Sequence, residues 1–308
     1  MPPSASVVGT IPFHDWETWY RITGELSSPT TPLVVVHGGP GFSHDYVLSL
    51  AEVATTGRPV VHYDQLGSGR STHLREKGAD FWTVKLFLDE LDNLLIQLGI
   101  IDEYHLLGQS WGAMLGAEHA IRQPEGLRSL ILSNALASVD ILMSEANRLR
   151  SQLPTDVQEA LDRHEADGTT EDPEYVAATQ VFYDRHLCRV IPNPPEVLKS
   201  WEFLADDPTV YRTMFGPNEF FCTGTLRTWT VVDRVKEILV PTLLITGEYD
   251  EATLATAQPF ADRIPDIRWE VFKNSSHMPF VEEPNEYLAV VNDFLKNHDE
   301  LSSTDCSN

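Results

Sequence analysis

Ser110 stands between glycines in Gly108-Gln109-Ser110-Trp111-Gly112, after the apolar run Tyr104-His105-Leu106-Leu107 and before a helix-like stretch from Met114 to Arg122. A serine on a sharp strand-to-helix turn exposes its hydroxyl for attack on a carbonyl, and flanking glycines make room for the turn. A hydroxyl is a weak nucleophile at neutral pH. The chemistry therefore needs a base to take the proton, an acid to hold that base, and N–H donors for the oxyanion that forms. Asp250 and His277 are the candidate acid and base, and Gly38, Gly39 and Trp111 the candidate donors. Trp111 follows the nucleophile, whereas Gly38 and Gly39 belong to the turn His37-Gly38-Gly39-Pro40-Gly41, whose backbone N–H groups can point at developing charge.

Several elements must bring these residues together. An alternating β-rich run ending at Gly24 reads as part of an antiparallel opening hairpin. Leu33-Val34-Val35-Val36, Pro59-Val60-Val61-His62-Tyr63, Leu127-Arg128-Ser129-Leu130-Ile131-Leu132, Pro241-Thr242-Leu243-Leu244-Ile245-Thr246 and Arg268-Trp269-Glu270-Val271-Phe272 read as further strands. Helical spacing of Val84, Phe87, Leu88, Leu91, Leu94, Leu95 and Leu98, stretches at 254–264 and 284–296, and the segment after Ser110 alternate with them. Gly108, Gly112 and Gly116 recur every fourth residue, giving the helix after Ser110 a bare face that can lie against a sheet. This alternation predicts an α/β fold: a mostly parallel central sheet with helices on both faces.

Between Ser138 and Lys236 the alternation stops, and prolines at 154, 173, 192, 194, 195, 208 and 217 break a helical, aromatic-rich stretch. This reads as an inserted helical cap. The expected organisation is a core from 1–137 and 237–298, a cap at 138–236 and a disordered tail at 299–308.

Ser110, Asp250 and His277 each fall just past a predicted parallel strand, where loops of an open α/β sheet converge on one edge. Asp102, Glu248 and Glu251 are rival acids, but Asp250 alone has the Gly-x-x-Asp placement after its strand. His37, His44, His62, His105 and His119 come too early for the order nucleophile, acid, base, and His298 lies in the terminal helix. The Gly67-Ser68-Gly69 spacing is no phosphate loop, because a third glycine and a lysine are missing; Asp64 and Arg70 read as braces for that turn.

Bulk properties narrow the classes. With 46 acidic and 22 basic residues the net charge is −24, which argues against nucleic acid or an anionic membrane as partner and leans towards cationic substrates. Three cysteines without paired spacing, and no apolar span or leader-like start, suggest a cytoplasmic protein. No HExxH or clustered His/Cys spacing suggests a metal, and no cofactor is expected.

Together, His37-Gly38-Gly39-Pro40-Gly41, Tyr63-Asp64-Gln65-Leu66-Gly67-Ser68-Gly69-Arg70-Ser71 and Gly108-Gln109-Ser110-Trp111-Gly112 resemble the proline iminopeptidase family of α/β hydrolases, over nearly the whole chain. Gly216-Pro217-Asn218-Glu219-Phe220, followed by Thr223-Gly224-Thr225, is most similar to its branch of tricorn-interacting aminopeptidases and L-amino acid amidases, including proline amide hydrolase. The resemblance implies an α/β-hydrolase fold and a metal-free serine hydrolase working through an acyl-enzyme. Its substrates would be small amides or short peptides with a free amino group, such as prolinamide or peptides beginning with proline. Cap carboxylates would hold that ammonium, with Glu219 carried over from its motif and Glu202, in Ser200-Trp201-Glu202, matching a second glutamate of the family. Ala113 and Ser276 depart from the common pattern without removing a catalytic group. A carboxylesterase or lactonase, and a non-catalytic receptor on the same fold, are the alternative readings.

Overall fold

The computed structural model describes Pro3 and residues 7–299. Two β-rich runs, β1 (Val7–Phe13) and β2 (Trp16–Thr23), pair antiparallel as a hairpin at one sheet edge, and β2 continues antiparallel onto β4 (Val60–Asp64). From there every pairing is parallel: β4 to β3 (Leu33–Val36), then β5 (Tyr104–Gln109), β6 (Leu127–Ser133), β7 (Thr242–Gly247) and β8 (Ile267–Phe272). The order β1-β2-β4-β3-β5-β6-β7-β8 places the strand before Ser110 near the middle of the sheet. The strands β3, β4, β5 and β7 are buried at every position, because helices cover both faces.

The helices of the sheet are α1 (Val84–Gln97), α2 (Trp111–Ile121), then, after the cap, α8 (Leu254–Arg263), α9 (Pro279–Glu282) and α10 (Pro284–Lys296). In α1, Phe87, Leu88, Leu91, Leu94 and Leu95 are buried, and Thr83 caps its start by accepting from the Leu86 N–H. Between β6 and β7 lie α3 (Val139–Arg150), α4 (Thr155–Asp167), α5 (Pro173–His186), α6 (Pro195–Asp206) and α7 (Thr209–Met214). Prolines open α5 and α6 at the first turn, where a missing N–H costs no hydrogen bond. Leu149, Leu161, Tyr175, Phe182 and Phe220 form a small apolar core within this insertion, while Val197, Leu204, Val210 and Met214 join the main core.

A 3₁₀ stretch at His44–Thr56, following the glycine-rich turn after β3, packs against α6. At the chain's far end Asp299 pairs with Arg58 at 2.7 Å and lies 3.4 Å from His105, so the first residue of the expected tail is anchored to the core. The remainder of that tail, 300–308, lies outside the described residues. Among the described residues no helix is long and apolar enough to cross a membrane.

Candidate active site

The elbow is visible in the backbone. Ser110 has φ 56° and ψ −119°, a conformation that L-residues rarely adopt and that a site retains only when its surroundings enforce it. They do so here: the Ser110 N–H donates to Ser133 O at 3.0 Å, and its carbonyl accepts from Ala113 and Met114. A Cβ at Gly108 would strike the Gly112 carbonyl, and one at Gly112 would strike the Val36 carbonyl, so both elbow glycines are required by close backbone approach.

Asp250 follows β7 and His277 follows β8, and the two side chains meet. His277 Nδ1 lies 2.7 Å from Asp250 Oδ1, with both residues buried. The Ala252 N–H also donates to Asp250 Oδ1, at 2.8 Å, and Asn134 Nδ2 donates to Oδ2 at 2.6 Å. Asn134 sits at the end of β6, between the strands that lead to Ser110 and Asp250, and also donates to Ser276 O at 3.2 Å. The histidine loop is held from behind as well, since Glu282 accepts from the Ser276 N–H and hydroxyl at 2.6 and 2.8 Å. Gln109, next to Ser110, donates to the His277 carbonyl at 3.1 Å and so ties elbow to base. Burial works to lower the His277 pKa, but the Asp250 charge and hydrogen bond, with Glu219 adding to them, hold it above the ordinary value.

The turn after β3 corrects one donor. Gly38 packs against the Ser110 side chain, but its N–H donates to the Tyr46 hydroxyl at 2.6 Å and is committed there. Tyr46 in turn donates to Gln109 Oε1. Gly39, at φ 114°, makes no N–H hydrogen bond among the described residues, and the Trp111 N–H lies in the first helical turn, whose donors have no partner within the helix.

His37, set aside above as too early to be the base, has a different part in this geometry. Its Nε2 accepts the Gln65 N–H at 3.0 Å, which puts the ring proton on Nδ1, 2.9 Å from Gly38 O. That carbonyl belongs to the same peptide plane as the Gly39 N–H. Burial lowers the His37 pKa to about 4, so the ring stays neutral and keeps one tautomer. Gln65 completes the clamp by donating to His37 O at 2.9 Å and accepting from Trp111 Nε1 at 2.8 Å. The braces read from sequence hold too: Asp64 accepts the backbone N–H groups of His44 and Arg70 at 2.7 and 2.9 Å.

The two glutamates separate. Glu219 is buried, accepts from the Tyr211 hydroxyl at 2.6 Å, and donates its backbone N–H to the Tyr183 hydroxyl at 3.4 Å. Glu202 is exposed on α6 and pairs with Lys199 at 3.0 Å, so it faces solvent instead of the site. The second buried carboxylate is Glu251, weighed above only as a rival to Asp250. Its Oε1 lies 3.9 Å from His277 Nε2, and its Oε2 has no hydrogen-bond partner. Burial raises the Glu251 pKa well above the ordinary carboxylate value, with the charges of Glu219 and Asp250 adding to it. Burial raises Glu219 too, against the opposing pull of the Tyr211 hydrogen bond and the His277 charge. Neither glutamate pairs with Lys or Arg among the described residues. Adjacency to Asp250 was the only sequence signal for Glu251, and it identifies no partner until the turn after β7 shows which way each side chain leaves.

Comparison with known proteins agrees with this architecture. Residues 31–284 match the family model described as alpha/beta hydrolase fold. The proline iminopeptidase of Lactobacillus delbrueckii subsp. lactis is 39% identical over 292 residues, covering 94% of this chain and 98% of its own. The proline iminopeptidase of Clostridium botulinum strain Hall is 38% identical over 293 residues, covering 94% and 98%. Among solved structures, VinJ superposes with a TM-score of 0.95 at 54% identity, covering 96% of this chain and all of that one. The proline iminopeptidase of Mycobacterium smegmatis gives 0.89 at 50% identity, covering 95% and 99%. The chain belongs to the proline iminopeptidase family of α/β hydrolases.

Proposed function

We propose that the protein is a serine hydrolase that releases an N-terminal residue, proline foremost, from short peptides and amides whose amino group is free. The observation that carries this reading is the pair of buried carboxylates, Glu219 and Glu251, beside His277 with no Lys or Arg partner among the described residues. Two such groups close together are costly to leave unpaired, and a substrate ammonium seated between them relieves that cost. An acylated amine brings no charge and leaves the carboxylates unpaired, so the pocket rejects it.

In this mechanism His277 Nε2 takes the Ser110 proton while Asp250 holds Nδ1–H and stabilises the imidazolium. Ser110 Oγ attacks the carbonyl, the oxyanion is received by the N–H groups of Gly39 and Trp111, and His277 returns the proton to the leaving amine. Water then hydrolyses the acyl-enzyme by the same route. The likeness to named proline iminopeptidases supports the choice of proline. A cytoplasmic setting belongs to the same proposal and rests on the cysteine spacing.

The test is hydrolysis of L-prolinamide, of a peptide beginning with proline and of N-acetyl-L-prolinamide by wild type and Ser110→Ala. Turnover of both free amines, rejection of the acetylated one and loss of nearly all turnover in the variant are expected. Retained activity in Ser110→Ala, or equal turnover of the acetylated amide, sinks the reading.

A further inference from the structure

Between α5 and α6 the insertion carries a cleft of about 590 Å³, within the size range of pockets that enclose small organic ligands. Val176 and Thr179 form part of one wall; Ile191 and Leu198 form part of the other. Val176, Ile191 and Leu198 are 56%, 62% and 46% exposed, an unusual concentration of large aliphatic surface in water for a chain with 46 acidic residues. The Thr179 hydroxyl, in the same wall, is buried without a hydrogen-bond partner.

The floor of the cleft is the roof of the active site. Tyr183 and Trp201 line the cleft and stack on each other, with ring centroids 5.5 Å apart and planes inclined by 25°. The Tyr183 hydroxyl reaches the backbone N of Glu219, and Trp201 packs edge-on against Phe42 at 4.7 Å, immediately after the glycine-rich turn. One layer of aromatic rings therefore divides the cleft from the carboxylate pair on one side and from the oxyanion turn on the other. Ser110, His277 and Glu219 are all buried. Trp201 is half-buried where it lines the cleft.

We infer that this cleft, opened to the reaction centre by rotation of Trp201, is the subsite for the leaving amine, and that it takes amides whose leaving portion carries a large apolar body, an extended alkyl chain or fused rings. The inference rests on the proposed amide hydrolysis: with the ammonium on Glu219 and Glu251 and the carbonyl at Ser110, the leaving portion is the one end of the substrate still unplaced. Polar leaving groups such as ammonia gain nothing there. Apolar ones exchange water for Val176, Ile191 and Leu198.

The experiment compares N-methyl- and N-octyl-L-prolinamide, which share an acyl group and have leaving amines of similar basicity. Burying even part of the added chain should raise kcat/KM for the octyl amide by at least about thirtyfold. Val176→Asn and Leu198→Asn, on exposed rim positions outside the catalytic machinery, should each cut that advantage severalfold while leaving N-methyl-prolinamide turnover unchanged. Equal kcat/KM for the two amides in wild type, or an octyl advantage untouched by both variants, overturns the inference. Binding of the same two amides to Ser110→Ala, measured by calorimetry, gives the same preference without turnover. If wild type hydrolyses neither amide, the hydrolase reading fails, and the binding ratio alone decides the cleft: a ratio near one overturns it, and a ratio of thirty or more lost in Leu198→Asn upholds it.

Discussion

In the proposed mechanism His277 must be neutral to accept the Ser110 proton, and its pKa is held above the ordinary value of 6.5 partly by the Glu219 charge. Activity is therefore lost as pH falls through that raised pKa. Glu219→Gln removes a negative charge, which lowers the His277 pKa and moves the acid limb of kcat/KM to lower pH. It should also cost about 100-fold in kcat/KM for free amines, as expected for breaking a buried charge pair. A limb that stays in place would mean that Glu219 does not act on the base. The His37 clamp makes a separate prediction. Asparagine can offer an N–H near the position of Nδ1, so His37→Asn should keep most of kcat, whereas His37→Leu frees the Gly38–Gly39 peptide and should lose about 10- to 100-fold in kcat with KM little changed. Affinity for a prolinal-type aldehyde, which forms an oxyanion, should fall in parallel with kcat, while affinity for proline stays the same. Parallel loss of both affinities would assign His37 a purely structural part. Ser110, Asp250 and His277 are legible in the sequence as candidates because each follows a strand end. His37 and Glu251 are not, because what they touch depends on which way a side chain leaves a turn.

The elbow is the element on which the site turns. Gly112→Ala would drive a methyl into the Val36 carbonyl, pushing α2 off the end of β3. A loss of about 1–3 kcal/mol in urea denaturation, with a fall in kcat as Ser110 shifts, is the expected result; unchanged stability would contradict the close packing described. Strands were legible because those buried on both faces are continuous apolar runs, and α1 because its apolar positions follow 3.6 periodicity. The 3₁₀ stretch at His44–Thr56 was not, since its buried positions, which include His44 and Asp45, follow neither simple period. Glu202 shows the finer limit of motif transfer. Val197, Ser200 and Leu204 face inward at spacings of three and four, and a residue two beyond Ser200 necessarily lies on another side of α6.

At the scale of the whole molecule, a charge of −24 spread over the folded chain makes it repel itself more strongly than the expanded chain does. Raising NaCl from 20 to 300 mM shortens the screening length several-fold, and Tm should rise by about 2 °C or more, the equivalent of roughly 1 kcal/mol. A Tm that falls with salt would show that attractive ion pairs outweigh the repulsion. The overall architecture could be read because alternating strands and helices admit few topologies. The aromatic layer beside the site could not, because it joins Phe42, Tyr183 and Trp201 from three distant segments. In the proposed mechanism Glu219, beneath that layer, also acts as a safety catch. Without substrate its charge favours the protonated His277 imidazole, which cannot receive a proton from Ser110. A substrate ammonium seated there would offset that charge and free the base, so the molecule that is to be cut would also be the one that arms the catalyst.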